Sequence, residues 1–214
     1  MKAISLLSGG KDSFLSLLIA LSIGMDVERT ITVKAEQDSY MFHFPNTELG
    51  GELSDIMGIS NSSILESEFK ETISLYPGYF LIAGAVESEF QKTKLEEICT
   101  ELGLKTFFPL WRKNQEQIVR DFISTGSRGI IVTVAAEGLD EKFLGRPIDE
   151  ESLRILNKAK LKHGISIIGE GGEYETLVTC SPFLTGCIEI EDTEVIDRGI
   201  QKILKIKKYR VEGS

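Results

Sequence analysis

The chain has 214 residues, with 24 Lys plus Arg against 33 Asp plus Glu and a formal net charge of −9. That length holds one large domain or two small ones and can remove roughly 70% of its unfolded surface from water, so no metal or disulfide staple is needed for a core. With 42% hydrophobic and 27% charged residues it is an ordinary globular composition, and the acidic balance leaves nucleic acid no more than a local patch.

In chain order, Ala3 to Leu7 is a short apolar run ending at Ser8-Gly9-Gly10, the pattern of a buried parallel strand feeding a glycine-rich turn. A helix is predicted from Ser13 to Ile23, closed by Gly24. Strands follow at Val27 to Lys34, Tyr79 to Ala85 and Lys105 to Phe108. Between the last two, Ser88 to Leu102 reads as a helix with Phe90, Leu95, Ile98 and Leu102 facing inward. Asn114-x-x-Gln117 opens another helix, with Ile118, Val119, Phe122 and Ile123 as its buried stripe and Gly126 as its stop. Strand-helix-strand spacing of this kind predicts an open parallel sheet covered on both faces.

The remainder reads as a smaller α+β part. Gly129 to Ala135 is a strand, and Asp149 to His163 is a helix whose acidic first turn and basic last turn suit the macrodipole. Short strands are predicted at Ser166 to Ile168, Tyr174 to Thr179, Cys187 to Ile190 and Ile203 to Lys207. The boundary is placed at residue 126, giving parts 1–126 and 127–214. Cys99, Cys180 and Cys187 form no C-x-x-C pair, which fits neither a disulfide framework nor a zinc site; Cys180 and Cys187 read as buried apolar fillers in a reducing cytosol. The apolar stretch Phe14 to Met25 is broken by Ser16 and Ser22 and is too short for a bilayer, so an intact, soluble, cytoplasmic protein without membrane contact is expected.

The strongest local signal is Ser8-Gly9-Gly10-Lys11-Asp12-Ser13 between the first strand and the first helix. Two glycines let backbone N–H groups approach a ligand, two hydroxyls add donors, and the helix brings its positive end: an anion cradle. It is not a Walker A loop, because Asp12 follows the lysine and the first glycine of that motif is absent. Asp12 is suited either to cap the helix or to hold Mg²⁺ against phosphate oxygens. Gly171-Gly-Glu-Tyr-Glu-Thr176 is a second motif; if its strand begins at Glu173, the carboxylates of Glu173 and Glu175 share one face. A solvated acidic hairpin is the plain alternative for it.

The first motif resembles the pyrophosphate-binding loop of the N-type ATP pyrophosphatases. With Asp38 to His43, Pro109-Leu-Trp111, Glu137-Gly-Leu-Asp140, Leu144-Gly-Arg146 and Gly171 to Thr176, the chain resembles the diphthine–ammonia ligase family from Met1 to about Pro182. One stretch departs from the family pattern: Phe90 and Lys94 stand where relatives carry Tyr and Arg. The resemblance implies a Rossmann-like fold of the adenine nucleotide alpha hydrolase type. It implies amidation of diphthine on translation elongation factor 2 to diphthamide, with ATP, Mg²⁺ and ammonium, through an acyl-adenylate with release of AMP and pyrophosphate.

On that reading Ser8, Gly9, Gly10, Lys11, Asp12, Ser13 and Gly84 bind the nucleotide, with Lys11, Asp12 and Ser13 catalytic and adenine near Val33 to Glu36. His43, Arg146, Glu170, Gly171, Gly172, Glu173, Tyr174, Glu175 and Thr176 bind the substrate, whose trimethylammonium group suits carboxylates and the Tyr174 ring. The alternatives are an adenylating enzyme acting on tRNA or on a small metabolite, and an ATP-binding module without turnover. The oligomeric state stays open, a homodimer included.

Overall fold

The structure, a computed structural model, describes residues 1–34 and 46–213. The expectations resting on His43, on Asp38 to His43 and on Ala35 and Glu36 lie outside the described residues. The chain divides into two compact units, Met1–Arg112 and Lys113–Ser214.

In the first unit, β1 (Lys2–Leu6), β2 (Asp26–Lys34), β3 (Ser60–Leu65), β4 (Phe80–Ile82) and β5 (Lys105–Phe107) form a parallel sheet in the order β3-β2-β1-β4-β5. Helices α1 (Lys11–Ser22), α2 (Glu48–Ile56), α3 (Phe69–Ile73) and α4 (Glu89–Glu101) connect the strands. Alternation along β1 sets the two faces: Ile4 and Leu6 join Ile31, Val33 and Leu81 beneath Phe69, Ile73, Leu95 and Cys99, while Ala3 packs on the other face with Ala20, Met25 and Ile82. The strand order reverses between β1 and β4, and the crevice at such a reversal, outside the carboxyl ends of the strands, is where open α/β sheets take ligands.

Three expectations change here. Helix α1 begins at Lys11, two residues before Ser13. Phe90 lies outside the core at 60% exposure, because the Ser88 cap starts α4 at Glu89 and turns position 90 to solvent; Ser88 Oγ accepts from the Gln91 N–H (3.3 Å). Elements α2, β3 and α3 occupy a stretch where no pattern was legible, since α2 carries Gly50-Gly51 and β3 opens Ser-Asn-Ser-Ser.

The second unit holds α5 (Gln115–Ser124), β6 (Arg128–Val134), α6 (Glu150–His163), β7 (Tyr174–Cys180), β8 (Gly186–Arg198) and β9 (Gln201–Gly213), with an antiparallel sheet in the order β7-β6-β9-β8. Helix α5 groups with this unit rather than with the first part ending at 126: its Gln115 Oε1 accepts from the Ile167 N–H (2.9 Å) of the loop before β7. Both long helices are capped as their sequences specify. Asn114 Oδ1 accepts from the Gln117 N–H (3.0 Å), and Asp149 with Ser152 forms a reciprocal box before α6, which Gly164 closes at φ 74°.

Ser166 to Ile168 is not a strand; it is a tied turn, described below. The two short strands expected near Cys187 and Ile203 are instead a hairpin of 13 residues a side, turning at Gly199. From 191 to 198 β8 is exposed but for the half-buried Ile196, so no buried alternation marks it as a strand. Cross-strand pairs hold it: Lys208 Nζ lies 2.6 Å from Glu191 Oε2, and Lys202 Nζ lies 3.2 Å from Asp197 Oδ2. Cys180 and Cys187, expected as apolar fillers, are joined in a disulfide because β7 ends at the one as β8 begins at the other, with Cα atoms 4.5 Å apart.

Candidate active site

The turn after β1 is built by its own side chains. Gly9 stands at φ 91°, a conformation in which a Cβ is strained, and Gly10 caps α1. Gly10 O accepts from the Phe14 N–H (3.1 Å) and from the Ser13 hydroxyl (3.0 Å). The Ser8 N–H donates to Ser13 Oγ (3.2 Å), and the Gly10 N–H donates to Ser8 Oγ (3.3 Å). The two hydroxyls, expected as ligand donors, are therefore stitched into the turn itself, and these bonds fix its shape.

Lys11 is buried, 2% exposed, with Nζ 3.0 Å from Asp12 Oδ2. Since α1 starts at Lys11, Asp12 sits inside the first helical turn and does not cap it; its carboxylate pairs with the lysine and benefits from the positive helix end. Of its two expected roles, capping is thereby removed. Asp12 puts one carboxylate at the head of the turn, an oxygen ligand of the kind that Mg²⁺ takes.

Gly84 follows β4, across the strand reversal. A Cβ there would stand 2.7 Å from the Asp12 carbonyl carbon and 2.7 Å from Ser13 N, so only glycine allows α1 to start this close to β4. Ser8, Gly9, Gly10, Lys11, Asp12, Ser13 and Gly84 are thus neighbours in the structure. Two residues that sequence reasoning missed also touch the turn: the Thr32 hydroxyl donates to Leu7 O (2.9 Å), and Gly50 of α2 presses on Leu7 and Ser8.

In the second unit, Glu173 precedes β7 and turns its carboxylate back onto its own loop. Oε1 accepts from the Ser166 N–H (2.9 Å) and Oε2 from the Gly171 N–H (2.8 Å). Tyr174 is 3% exposed and its hydroxyl donates to Ile167 O (2.6 Å), so its ring presents no face to a cation, contrary to expectation. Together with Gln115, these two residues pin the loop 165–173, whose Gly169 (φ 80°) and Gly172 (φ 79°) allow the tight bends. Thr176 is buried, and Glu175 stands in register with Thr133 on β6. Glu170, Gly171 and Gly172 lie at the outer side of the same loop, at least partly exposed.

Arg146 donates from Nε to Lys142 O (3.3 Å), and its Nη1 lies 3.6 Å from Glu151 Oε1. His163 is only 14% exposed: its ring packs on the Gly138 turn, where a Cβ would come within 2.6 Å of Cδ2, and Nδ1 lies 3.5 Å from Glu137 Oε1.

Fold and turn define the class: a doubly wound α/β domain with a preorganised glycine-serine turn at its strand reversal, followed by an antiparallel α+β unit. Two family models match, described as the diphthamide synthase N-terminal domain over residues 1–106 and the diphthamide synthase C-terminal domain over residues 114–211. Proteins named diphthine–ammonia ligase are similar along nearly the whole chain. That of Schizosaccharomyces pombe is 33% identical over 97% of this chain and 39% of its own length. Those of Danio rerio and Bos taurus are 30% and 29% identical over 92% of this chain, which covers 89% and 85% of them. The chain thus spans about two fifths of the fission yeast protein and most of the two vertebrate ones. A solved chain from Methanocaldococcus jannaschii, described as a predicted subunit of tRNA methyltransferase, aligns with a TM-score of 0.49 at 16% identity over 85% of this chain and 98% of that one, a likeness too loose to build on. The chain belongs to the diphthamide synthase family.

Proposed function

We propose that this protein is a cytoplasmic ligase that converts diphthine on translation elongation factor 2 into diphthamide, consuming ATP and ammonium and releasing AMP and pyrophosphate. The observation that carries this reading is the preorganised Ser8–Ser13 turn at the strand reversal of a chain that both diphthamide synthase domains match. Backbone N–H groups around Gly9 and Gly10 bind the β and γ phosphates, and the Lys11 ammonium balances charge growing on the departing pyrophosphate. Asp12 holds Mg²⁺, which supplies charge neutralisation at the phosphates.

The diphthine carboxylate attacks the α-phosphorus, the bond to pyrophosphate breaks, and ammonia then displaces AMP from the acyl carbon to leave the amide. Orientation and charge stabilisation suffice for both steps, so no side-chain nucleophile is required. In the second unit Glu170 and Glu175 attract the cationic substrate and Arg146 contacts its carboxylate, while Glu173 and Tyr174 hold the loop in shape. This assigns Glu173 to organising the loop rather than to touching substrate.

The test mixes protein, ATP, Mg²⁺ and ammonium with and without diphthine-bearing elongation factor 2. Formation of AMP and pyrophosphate only when substrate is present supports the reading. ADP as product, or no nucleotide consumption at all, overturns it.

A further inference from the structure

Beta1 hands over to the nucleotide turn at a single peptide, that between Leu7 and Ser8. The Leu7 N–H still donates to Ile31 O (2.9 Å), so the sheet ladder holds the start of this residue. Its carbonyl is caught differently, by the fully buried Thr32 hydroxyl of β2 at 2.9 Å. Behind the same peptide, α2 approaches backbone to backbone. A Cβ on Gly50 would stand 2.6 Å from Leu7 O, 3.1 Å from the Ser8 carbonyl carbon and 3.1 Å from Thr32 Oγ1. The peptide that aims Ser8 and Gly9 is therefore held at its carbonyl by the Thr32 hydroxyl, at its Ser8 N–H by Ser13 Oγ (3.2 Å) and from behind by a glycine face.

We propose that Thr32, braced by Gly50, is a positioning residue for nucleotide binding: it sets the direction of the Leu7–Ser8 peptide and so of the backbone donors in the turn. The proposal rests on the nucleotide reading of that turn. Its physical basis is the steep dependence of N–H···O bonds on angle: a tilt of the entering peptide turns the whole Ser8–Ser13 turn, and with it the backbone donors that face the phosphate oxygens.

The molecule carries its own control. Thr30 lies two residues earlier on the same face of β2 and is equally buried; Thr30 Oγ1 lies 2.8 Å from Asn61 Oδ1 and 2.6 Å from Ser54 Oγ, and it makes no contact with the turn in these bonds. Thr32 Oγ1 lies 3.1 Å from the same Asn61 oxygen. Both hydroxyls thus serve one buried polar cluster, and Thr32 alone extends it to Leu7.

Calorimetric titration of the full chain with ATP and Mg²⁺, beside thermal unfolding, tests this. Thr32→Val and Thr30→Val should lower the unfolding midpoint comparably. Thr32→Val should in addition weaken ATP by about tenfold, the scale of one misdirected hydrogen bond in an affinity. Thr30→Val and the conservative Thr32→Ser should stay within about twofold of the unaltered protein, a smaller change than one such bond. Should Thr32→Val fail to fold, Gly50→Ala is the second probe, expected to weaken ATP through the same peptide. Equal ATP affinity for Thr32→Val or, in its place, Gly50→Ala and the unaltered protein overturns the proposal, as does an equal loss in Thr30→Val. If the unaltered protein binds no ATP, the nucleotide reading itself has failed, and the two failures are thereby told apart.

Discussion

The Cys99 thiol lies in the core beside Leu95 and Leu104, and burial, assisted by Glu96, pushes its pKa up to about 12. At pH 8 only about one part in ten thousand is thiolate, so Cys99 should stay silent toward a disulfide reagent until the protein unfolds. After mild reduction, thiol titration should count Cys180 and Cys187 at once and Cys99 only in denaturant; immediate reaction of all three would contradict its burial. Tyr174 shows what a residue's identity leaves unsaid. Its place between two glutamates in a glycine-rich motif was legible, and its direction was not, because that depends on the Ile167 carbonyl waiting seven residues upstream. Tyr174→Phe should cost about 1 kcal/mol in urea unfolding, the contribution of one buried hydrogen bond. If diphthine binding falls while stability holds, the tyrosine touches substrate after all.

Among the elements, α1 and the strand end at Gly84 meet with no room to spare. Gly84→Ala should destabilise by about 1–3 kcal/mol through overpacking and abolish ATP binding by displacing the Asp12–Ser13 peptide. Thermal melting and calorimetry read the two effects separately, and intact ATP affinity would show that the contact does not shape the turn. The β8–β9 hairpin responds to acid. The Lys208 ammonium beside Glu191, and the Gly199 N–H on Asp197, hold both carboxyls below their usual range. Their stabilising effect is therefore complete above the unfolded carboxyl pKa and is lost as pH falls through the folded one. Hydrogen exchange should show hairpin amides losing protection as pH falls below about 4, the usual carboxyl range, ahead of those of β1. Simultaneous loss in both would contradict the pairing. This hairpin also marks the limit of sequence patterning. The strands around the turn, β1, β2 and β4, announce themselves by apolar runs, and α5 and α6 by their caps. The far end of β8 is an exposed, charge-rich run that looks like any solvated surface, α2 carries Gly50 where its backbone approaches the turn, and β3 is a half-exposed, serine-rich edge strand.

For the whole molecule, the two units invite a direct experiment. Arg112 and Lys113 at their junction are both exposed, so brief trypsin treatment should cut there first and leave two fragments of nearly equal mass. Early cleavage elsewhere would argue against the division. The net charge of −9 is also unevenly placed: the first unit carries 9 basic against 16 acidic residues and the second 15 against 17. The unit assigned to nucleotide is the acidic one, so its attraction for phosphate must be local, from backbone donors and Lys11. In the second unit the charges are sorted by strand. Beta8 carries Glu189, Glu191, Asp192, Glu194 and Asp197 with Arg198 at its last position, while β9 carries Lys202, Lys205, Lys207, Lys208 and Arg210 with Glu212 near its end. Beta8 is the last strand of its sheet among the described residues, and its unpaired backbone would ordinarily invite a second copy to continue the ladder. A two-fold related copy meeting it edge to edge would set five carboxylates against five. The strand matches its neighbour in the hairpin and repels its own image, so the charge pattern that holds the hairpin together also guards the sheet against growing.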